Sequence, residues 1–310
     1  MQILVIGAGA VGALFGSALA RQGVEVSVVC RSDYDAVKRD GYDIKSPLLG
    51  DHRFRPRHVY REAVECRTPP DCVILTSKVH SSIDRVALLR PVVGPKTVIL
   101  LIQNGVDIEQ EIADAFPSNE LLSSLAFVAV GRSKPGEVDH QSLGSLLLGK
   151  FPQGITAAAE KLATLFEASG VGCKLTEDVI AARWQKAVWN ATFNPISIMG
   201  GVLDTAQMLH SPESEAFIRQ AMQEVCDVAA ATGHALSPKL IDNMIAGTRA
   251  MPAYKTSMAL DYENHRPMEI EAILGATVRA GKRAGVAMPA LESIYALAKM
   301  IEAKRMAVSG

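Results

Sequence analysis

A lysine and two asparagines recur at intervals of four residues in the second half of the chain, as Lys186, Asn190 and Asn194. Side chains spaced by four lie on one face of an α-helix. Burying an ammonium and two amides in an apolar core would be costly. The stripe therefore faces either solvent or a polar ligand. We favour a ligand, because solvated helix faces more often carry Glu, Lys and Arg than paired asparagines.

A glycine pattern near the N-terminus matches the G-x-G-x-x-G loop of dinucleotide-binding proteins. It follows the apolar run Gln2 to Ile6, which predicts a strand, and it opens a helical pattern from Ala10 to Gln22. In such a loop the glycines allow a tight turn, a close approach to the pyrophosphate and close packing of helix on strand. A glycine-rich turn without a ligand is the alternative, but this context favours binding. The loop residues are Gly7, Ala8, Gly9, Ala10, Val11 and Gly12.

The end of the second predicted strand, Val24 to Val29, indicates which dinucleotide is bound. NAD-binding proteins usually place an acid there to hold the ribose hydroxyls. This chain has Arg31 instead, and a guanidinium pairs well with a 2′-phosphate. We therefore predict NADP (NADPH), although Asp33 and Asp35 lie close enough to leave NAD open.

Strands and helices alternate through the first half of the chain, which predicts a Rossmann-type doubly wound α/β sheet over residues 1–177. A polar, irregular stretch from Gly41 to Cys66 interrupts the alternation and predicts a small antiparallel insertion. Short β-like pieces are expected from Glu137 to Gly149. Further strands are predicted at Cys72 to Ser77, Thr97 to Ile102, Leu121 to Val130 and Val171 to Leu175, with a helix at Ala157 to Ser169.

Strand patterns disappear after Glu177, and long helical patterns replace them. We therefore predict an all-α second domain over residues 178–310, which would bind substrate and carry the catalytic residues. Its predicted helices are Asp178 to Ile198, Ser214 to Thr232, Lys239 to Ile245 and Glu269 to Ala284.

Composition excludes several classes of protein. The 310 residues carry a formal net charge of −1, without the basic excess of a nucleic-acid binder. No apolar run approaches the ~20 residues that span a bilayer. The five cysteines include no CxxC pair, which argues against a disulfide framework and a zinc site, and we expect no metal. A reduced, cytoplasmic compartment fits best, and the apolar helices suffice for a homodimer interface.

Together these patterns make the chain resemble the ketopantoate reductase (2-dehydropantoate 2-reductase) family along nearly its whole length. Besides the glycine loop, Arg31 and the helical stripe, the resemblance rests on further motifs in the same order. These are Lys78, Asn104-Gly105, Asn194-Pro195, the run Pro135 to His140, Ser257-Met258 and the run Glu269 to Glu271.

The resemblance implies NADPH-dependent reduction of a 2-keto acid, 2-dehydropantoate, to pantoate for pantothenate and coenzyme A synthesis. Lys186 would be the general acid that protonates the keto oxygen, and a lysine ammonium is charged at neutral pH. Glu269, the second catalytic residue, would accept a hydrogen bond from the terminal hydroxyl of the substrate. The expected substrate-binding residues are Asn104, Asn190, Asn194 and Ser257; Lys78, Asn104 and Ala126 are expected near the cofactor.

Other interpretations stay open. Glu269 could simply favour a helix N-terminus, Ser257 could be a surface residue, and Asn104 could be only a turn residue. The chain could instead reduce another 2-keto acid, act as a β-hydroxyacid dehydrogenase, sense NADPH without catalysis, or use its helical half for docking. No spacing gives His80, His140 or His265 a catalytic partner.

Overall fold

The computed structural model describes residues 1–309, with side chains described as far as Arg305, and divides them into two compact units. Two short segments that follow strands of the first half belong to the second unit, which is otherwise helical. The first unit comprises Met1–Lys78, Ser82–Asn104 and Ile108–Val179, and the second comprises Val79–Ser81, Gly105–Asp107 and the chain from Ile180 onward.

The first unit contains one ten-stranded, mainly parallel sheet with helices on its faces, which is the predicted Rossmann-type α/β class. The strands are β1 (Gln2–Ile6), β2 (Glu25–Val29), β3 (Tyr42–Lys45), β4 (His52–Phe54), β5 (Val59–Tyr60), β6 (Cys72–Leu75), β7 (Val98–Ile102), β8 (Leu121–Arg132), β9 (Glu137–Lys150) and β10 (Gly172–Leu175). The helices are α1 (Ala10–Ala20), α2 (Tyr34–Asp40), α3 (Arg85–Leu89), α4 (Gln110–Ala115) and α5 (Ala157–Ala168), with a 3₁₀ turn at Ala63–Glu65.

Strand order in the sheet is β4-β3-β9-β8-β7-β6-β1-β2-β5, and β10 also pairs with β9. Neighbours are parallel except for β3–β4 and β8–β9, which are antiparallel. Because β1, β2, β6, β7 and β8 run in the same direction, the loops after β1, β2, β6 and β7 all leave the same edge of the sheet. Ligands of open α/β sheets bind at this edge.

Both faces of the sheet are buried, as the continuous apolar strands predicted. Ile3 and Val5 of β1 point into a core that includes Phe15 of α1 and Phe166 of α5. Leu4 and Ile6 point into a second core on the opposite face. The alternation along a single strand therefore fixes the sheet between two layers of helices.

The long hairpin β8–β9 contains one strand, β9, that differs from the prediction of short β-like pieces. Its strands pair in antiparallel register from Leu122–Lys150 to Arg132–Val138, with shifts after Phe127 and after Ala129. Leu143 and Gly144 both have positive φ, 64° and 118°. These irregularities interrupt the apolar–polar alternation, so one strand of 14 residues looks like several short ones in the sequence.

The second unit is all helical among its described residues, apart from short connections. Its buried core joins Trp184 and Val188 of the first long helix to residues of the later helices. The elements are α6 (Val179–Met199), α7 (Thr205–Met208), α8 (Pro212–Ala231), α9 (Leu240–Ala250), α10 (Ser257–Glu263), a π-helical segment (Glu271–Gly275), α11 (Ala276–Ala284) and α12 (Pro289–Ser309). The predicted single helix from Glu269 to Ala284 is thus a π-helical segment followed by an α-helix, and the prediction omitted α7, α10 and α12.

None of the helices within residues 1–309 combines the length and apolar character needed to cross a membrane.

Candidate active site

The glycine loop after β1 has a different structural requirement at each glycine. Gly7 has φ +77°, and a Cβ there would lie only 2.6 Å from the main-chain nitrogen of Ser77. A Cβ on Gly12 would collide with the Thr76 hydroxyl. At Gly9, by contrast, the nearest atom to an added Cβ is the Gly7 carbonyl oxygen at 3.9 Å. Gly9 therefore adjoins open space.

The N-terminus of α1 completes this loop. Gly9 is the N-cap residue and offers no side-chain cap, so the first main-chain N–H groups of the helix remain available to a ligand. Free N–H groups at a helix N-terminus, beside a glycine that leaves room for close approach, fit the pyrophosphate of a dinucleotide.

Two hydroxyls of the first unit, neither of them predicted from the sequence, donate hydrogen bonds to the glycine loop. Tyr42 is fully buried on β3, and its Oη donates to the Ala8 carbonyl oxygen at 2.6 Å. Thr76 Oγ1 donates to the Gly7 carbonyl oxygen at 2.9 Å. Because Tyr42 lies in the irregular insertion, 34 residues from its partner, no local motif could have identified it.

The loop after β2 carries Arg31, which is exposed to solvent. The two acids that left NAD open are each paired with an arginine. Asp33 is 1% exposed and forms an ion pair with Arg132 at the end of β8. Asp35 pairs with Arg61 at 2.7 Å. The two acids that follow Arg31 most closely in the sequence are therefore each paired with another side chain.

Lys78 and Asn104 follow β6 and β7 respectively, so they leave the same edge of the sheet as the glycine loop and Arg31. Both are half-buried. Gln103, immediately before Asn104, donates through Nε2 to the Ser77 carbonyl oxygen and so joins the ends of β6 and β7. Ala126 lies further inside the sheet, on β8 opposite Leu146 of β9.

The predicted stripe of Lys186, Asn190 and Asn194 lies on α6 in the second unit. Lys186 and Asn190 are half-buried, and Asn194 is 2% exposed. Packing explains why the stripe sits on one face, because Trp184 and Val188 occupy the core face of the same helix.

Asn194 and Ser257 come together although 63 residues separate them. The Asn194 Oδ1 accepts from the Ser257 hydroxyl and from the Met258 main-chain N–H, both at 3.3 Å. A main-chain N–H must face an oxygen, so this contact fixes the orientation of the amide. Its NH₂ group is left to donate to another acceptor. Ser257 itself is exposed at the start of α10.

Glu269 is half-buried and directly precedes the helical turn that enters the π-helical segment. Its Oε1 accepts from the Val79 main-chain N–H at 2.8 Å, within the second unit. This long-range contact goes beyond the helix-terminus role that the sequence also allowed. π-Helical segments often occur at functional sites.

The electrostatics around Lys186 are unusual for a lysine. Its pKa is lowered to about 7: burial is the largest cause, the nearby Arg183 guanidinium also lowers it, and the Glu269 carboxylate acts in the opposite direction. Arg183 is 3% exposed, lies one turn earlier on α6 and donates to the Gly105 carbonyl oxygen at 3.1 Å. A lysine with a pKa near neutrality can exchange a proton readily at physiological pH.

The three histidines considered in the sequence have different surroundings. His140 is buried in the first unit, where its ring contacts the Ser46 hydroxyl at 2.8 Å and the Ser142 carbonyl oxygen at 3.1 Å. His265 is exposed. His80 lies 4.0 Å from Glu302. Among the described residues, no group of three or more His, Cys, Asp or Glu side chains could hold a metal ion.

Two family models match the chain. Residues 3–153 match the model described as ketopantoate reductase PanE/ApbA, and residues 178–302 match the model of the C-terminal part of the same family. The chain belongs to the ketopantoate reductase family. The mixed α/β fold with a helical C-terminal region is therefore that of a known oxidoreductase family.

Individual relatives support this assignment over nearly the full length. The crystal structure of 2-dehydropantoate 2-reductase from Methylococcus capsulatus is 51% identical, with a TM-score of 0.93 and 98% of both chains covered. The 2-dehydropantoate 2-reductase of Nostoc sp. is 28% identical, covering 97% of this chain and 95% of the relative. A ternary structure of D-mandelate dehydrogenase with NADH and anilino(oxo)acetate is 25% identical, with a TM-score of 0.90 and coverage of 98% and 99%.

Proposed function

We propose that this chain is an NADPH-dependent reductase that converts 2-dehydropantoate to pantoate, with Lys186 as its general acid. The step would serve the synthesis of pantothenate and hence of coenzyme A. The proposal is carried by one observation above all. Lys186, whose pKa is lowered to about 7, shares a helix face with Asn194, whose amide is oriented by Ser257 and Met258.

The roles of the residues follow from their chemistry. When bound, the reduced nicotinamide would supply the hydride. The Lys186 ammonium would stabilise the charge that develops on the keto oxygen and donate a proton to it. The Asn194 NH₂ would donate to the substrate carboxylate, together with Asn190 and the Ser257 hydroxyl. Glu269, with Oε1 held by Val79, would accept a hydrogen bond from the terminal hydroxyl.

The choice of NADPH is supported by the loop after β2. Arg31 is exposed there, while Asp33 and Asp35 are paired with Arg132 and Arg61. A guanidinium without a competing free carboxylate favours a 2′-phosphate. We further propose that Lys78, Asn104 and Ala126 contribute to the cofactor site.

A second candidate is a dehydrogenase that oxidises an aryl 2-hydroxy acid with NAD⁺, or reduces the matching 2-keto acid with NADH. The specific observation that favours it is the similarity to the D-mandelate dehydrogenase structure with NADH, which extends over 98% of this chain. Because Arg31 replaces the acid expected for NAD, the NADPH-dependent activity is preferred.

The deciding experiment measures kcat/KM for oxidation of NADPH and of NADH with 2-dehydropantoate and with a panel of other 2-keto acids. Oxidation of D-mandelate and of 3-hydroxy acids by NAD⁺ and NADP⁺ is measured in parallel. We expect 2-dehydropantoate with NADPH to give the highest value. The proposal would be contradicted if the only activity were oxidation of D-mandelate with NAD⁺. It would also be contradicted if the only substrates were 3-hydroxy acids.

Association into a homodimer is a further prediction. Leu297 and Met300 of α12 are 48% and 65% exposed and lie three residues apart, so they share one helix face. Light scattering after size-exclusion chromatography measures the mass directly, and a 33.1 kDa species at all concentrations would contradict a dimer.

A further inference from the structure

A buried carboxylate lies two residues after Arg31, in the loop that we expect to determine whether NADPH or NADH binds. Asp33 is 1% exposed, and three donors from the first unit surround its carboxylate. Oδ1 accepts from an Arg132 guanidinium nitrogen and from the Ser32 hydroxyl, the latter at 2.8 Å. Oδ2 accepts from the Gly136 main-chain N–H at 3.3 Å. Both oxygens of the carboxylate thus accept hydrogen bonds within the protein.

Arg132 is the only charged member of this set of donors, and it comes from a distant part of the chain. It is the last residue of β8, 99 positions after Asp33, and its side chain is 30% exposed. The same guanidinium nitrogen also donates to the Ser32 hydroxyl at 2.8 Å. Arg132, at the end of β8, therefore binds two residues of the loop after β2 through its charged side chain.

The charge of Asp33 affects cofactor binding because Asp33 lies two residues after Arg31. In NAD-binding sheets an acid in this loop binds the ribose hydroxyls, and a carboxylate repels a 2′-phosphate. Paired with Arg132, Asp33 adds no net charge beside Arg31. Without its partner, the same carboxylate would oppose Arg31 and favour a cofactor that lacks the phosphate.

We infer that Arg132 is a positioning residue that determines cofactor specificity by holding and neutralising Asp33 beside the 2′-phosphate site. The inference rests on the proposed NADPH dependence and deepens it. It assigns the preference to a pair of residues, one in the loop after β2 and one at the end of β8, in addition to Arg31.

The test is the ratio of the dissociation constants of NADH and NADPH, measured at pH 8 by fluorescence titration. We expect R132M to lower the preference for NADPH about tenfold, because an uncompensated charge then lies near the phosphate. R132K keeps a positive charge and should retain most of the preference. The double variant D33N/R132M, which removes the carboxylate as well, should restore the wild-type ratio.

The matched control is K134M, which removes an exposed positive charge from the same hairpin, where Lys134 pairs with Glu137 at 3.1 Å. Its ratio should equal that of the wild type. A purely structural role of Arg132 would weaken both cofactors equally in R132M and leave the ratio unchanged, which would overturn the inference. So would a double variant that stays as unselective as R132M. A wild-type preference for NADH would instead contradict the proposed function.

Discussion

The main-chain N–H of Val79 donates a hydrogen bond to Oε1 of Glu269, 190 positions later in the chain, at 2.8 Å. Val79 directly follows Lys78, which leaves the sheet after β6, whereas Glu269 precedes the π-helical segment. The contact fixes one oxygen of a carboxylate that also acts on the pKa of Lys186. A contact within the protein thus positions the Glu269 carboxylate without any contribution from a substrate.

Replacing Lys186 by alanine should abolish most of the chemistry while leaving the cofactor site intact. We expect kcat to fall by a factor of about 10²–10⁴, the usual contribution of a general acid. The dissociation constant of NADPH should change by less than about twofold, an amount that corresponds to well under 1 kcal/mol. Steady-state NADPH oxidation and fluorescence titration measure the two quantities.

Gln185 provides the matched control for that variant, because it is the exposed neighbour of Lys186 on the same helix. Gln185→Ala should keep wild-type kcat. If Lys186→Ala also kept near wild-type kcat, the assignment of Lys186 as the general acid would be wrong.

The pH dependence of reduction should follow the protonation of Lys186. A general acid must carry its proton, so kcat/KM should be highest below the pKa of about 7 and fall as the pH rises through it. Arg183 lowers this pKa and Glu269 raises it. Arg183→Met should therefore move the falling limb to higher pH, and Glu269→Gln should move it to lower pH.

These opposite shifts separate electrostatics from general damage to the protein. A variant that only loosened the structure would lower kcat/KM at every pH without moving the limb. Shifts of both variants in the same direction would show that another group governs the profile.

The glycine loop allows a comparison between two chemically identical substitutions. Gly9→Ala places a methyl group in open space, 3.9 Å from the nearest protein atom, so the thermal midpoint should stay within about 2 °C of the wild type. NADPH affinity should nevertheless fall at least about tenfold, because the methyl group would occupy the path of the pyrophosphate.

Gly12→Ala should lose stability as well as binding, because its methyl group collides with Thr76 and crowds Val5. We expect a loss of about 1–3 kcal/mol, typical of overpacking. Calorimetry and NADPH titration on both variants make the comparison. Equal effects of the two substitutions on stability would contradict the assignment of Gly9 to the ligand side.

Removing the hydroxyl of Tyr42 should weaken cofactor binding indirectly, because this buried hydroxyl holds the glycine loop. Tyr42→Phe deletes the hydrogen bond to the Ala8 carbonyl oxygen, which costs about 0.5–1.5 kcal/mol and corresponds to roughly 2–13-fold. Because this bond lies within the protein, the factor is the upper limit for the rise in the KM for NADPH, while kcat at saturating NADPH stays unchanged. Tyr60→Phe, on the edge strand β5, is the control and should leave both constants unchanged.

The sequence revealed those parts of the fold that depend on local pattern. The strand Gln2–Ile6 was predicted to the residue, because a short apolar run stops at a glycine. In the hairpin β8–β9, the first strand was predicted as Leu121 to Val130, but β9 was predicted only in pieces, since the register shifts break the alternation. The π-helical segment was missed, because the apolar spacing of a π-helix over five residues does not differ visibly from that of an α-helix.

The candidate site divides in the same way. Lys186, Asn190 and Asn194 could be grouped in advance, because helical periodicity places residues four apart on one face. The residues that contact them could not be predicted from the sequence. Met258 lies 64 positions from Asn194, and the pairs Tyr42–Ala8 and Arg132–Asp33 join elements that become neighbours only after folding.

The two short segments that leave the first half of the chain to join the second unit have a consequence for dissection of the protein. Val79 supplies the amide bound by Glu269, and Gly105 supplies the carbonyl bound by Arg183. Val106 donates in addition to the Ala272 carbonyl oxygen at 3.2 Å, inside the π-helical segment. A fragment starting at Ile180 would lack all three contacts. The helical half is therefore not a self-contained module, and a chimaera that exchanges it should also carry the matching residues 79–81 and 105–107.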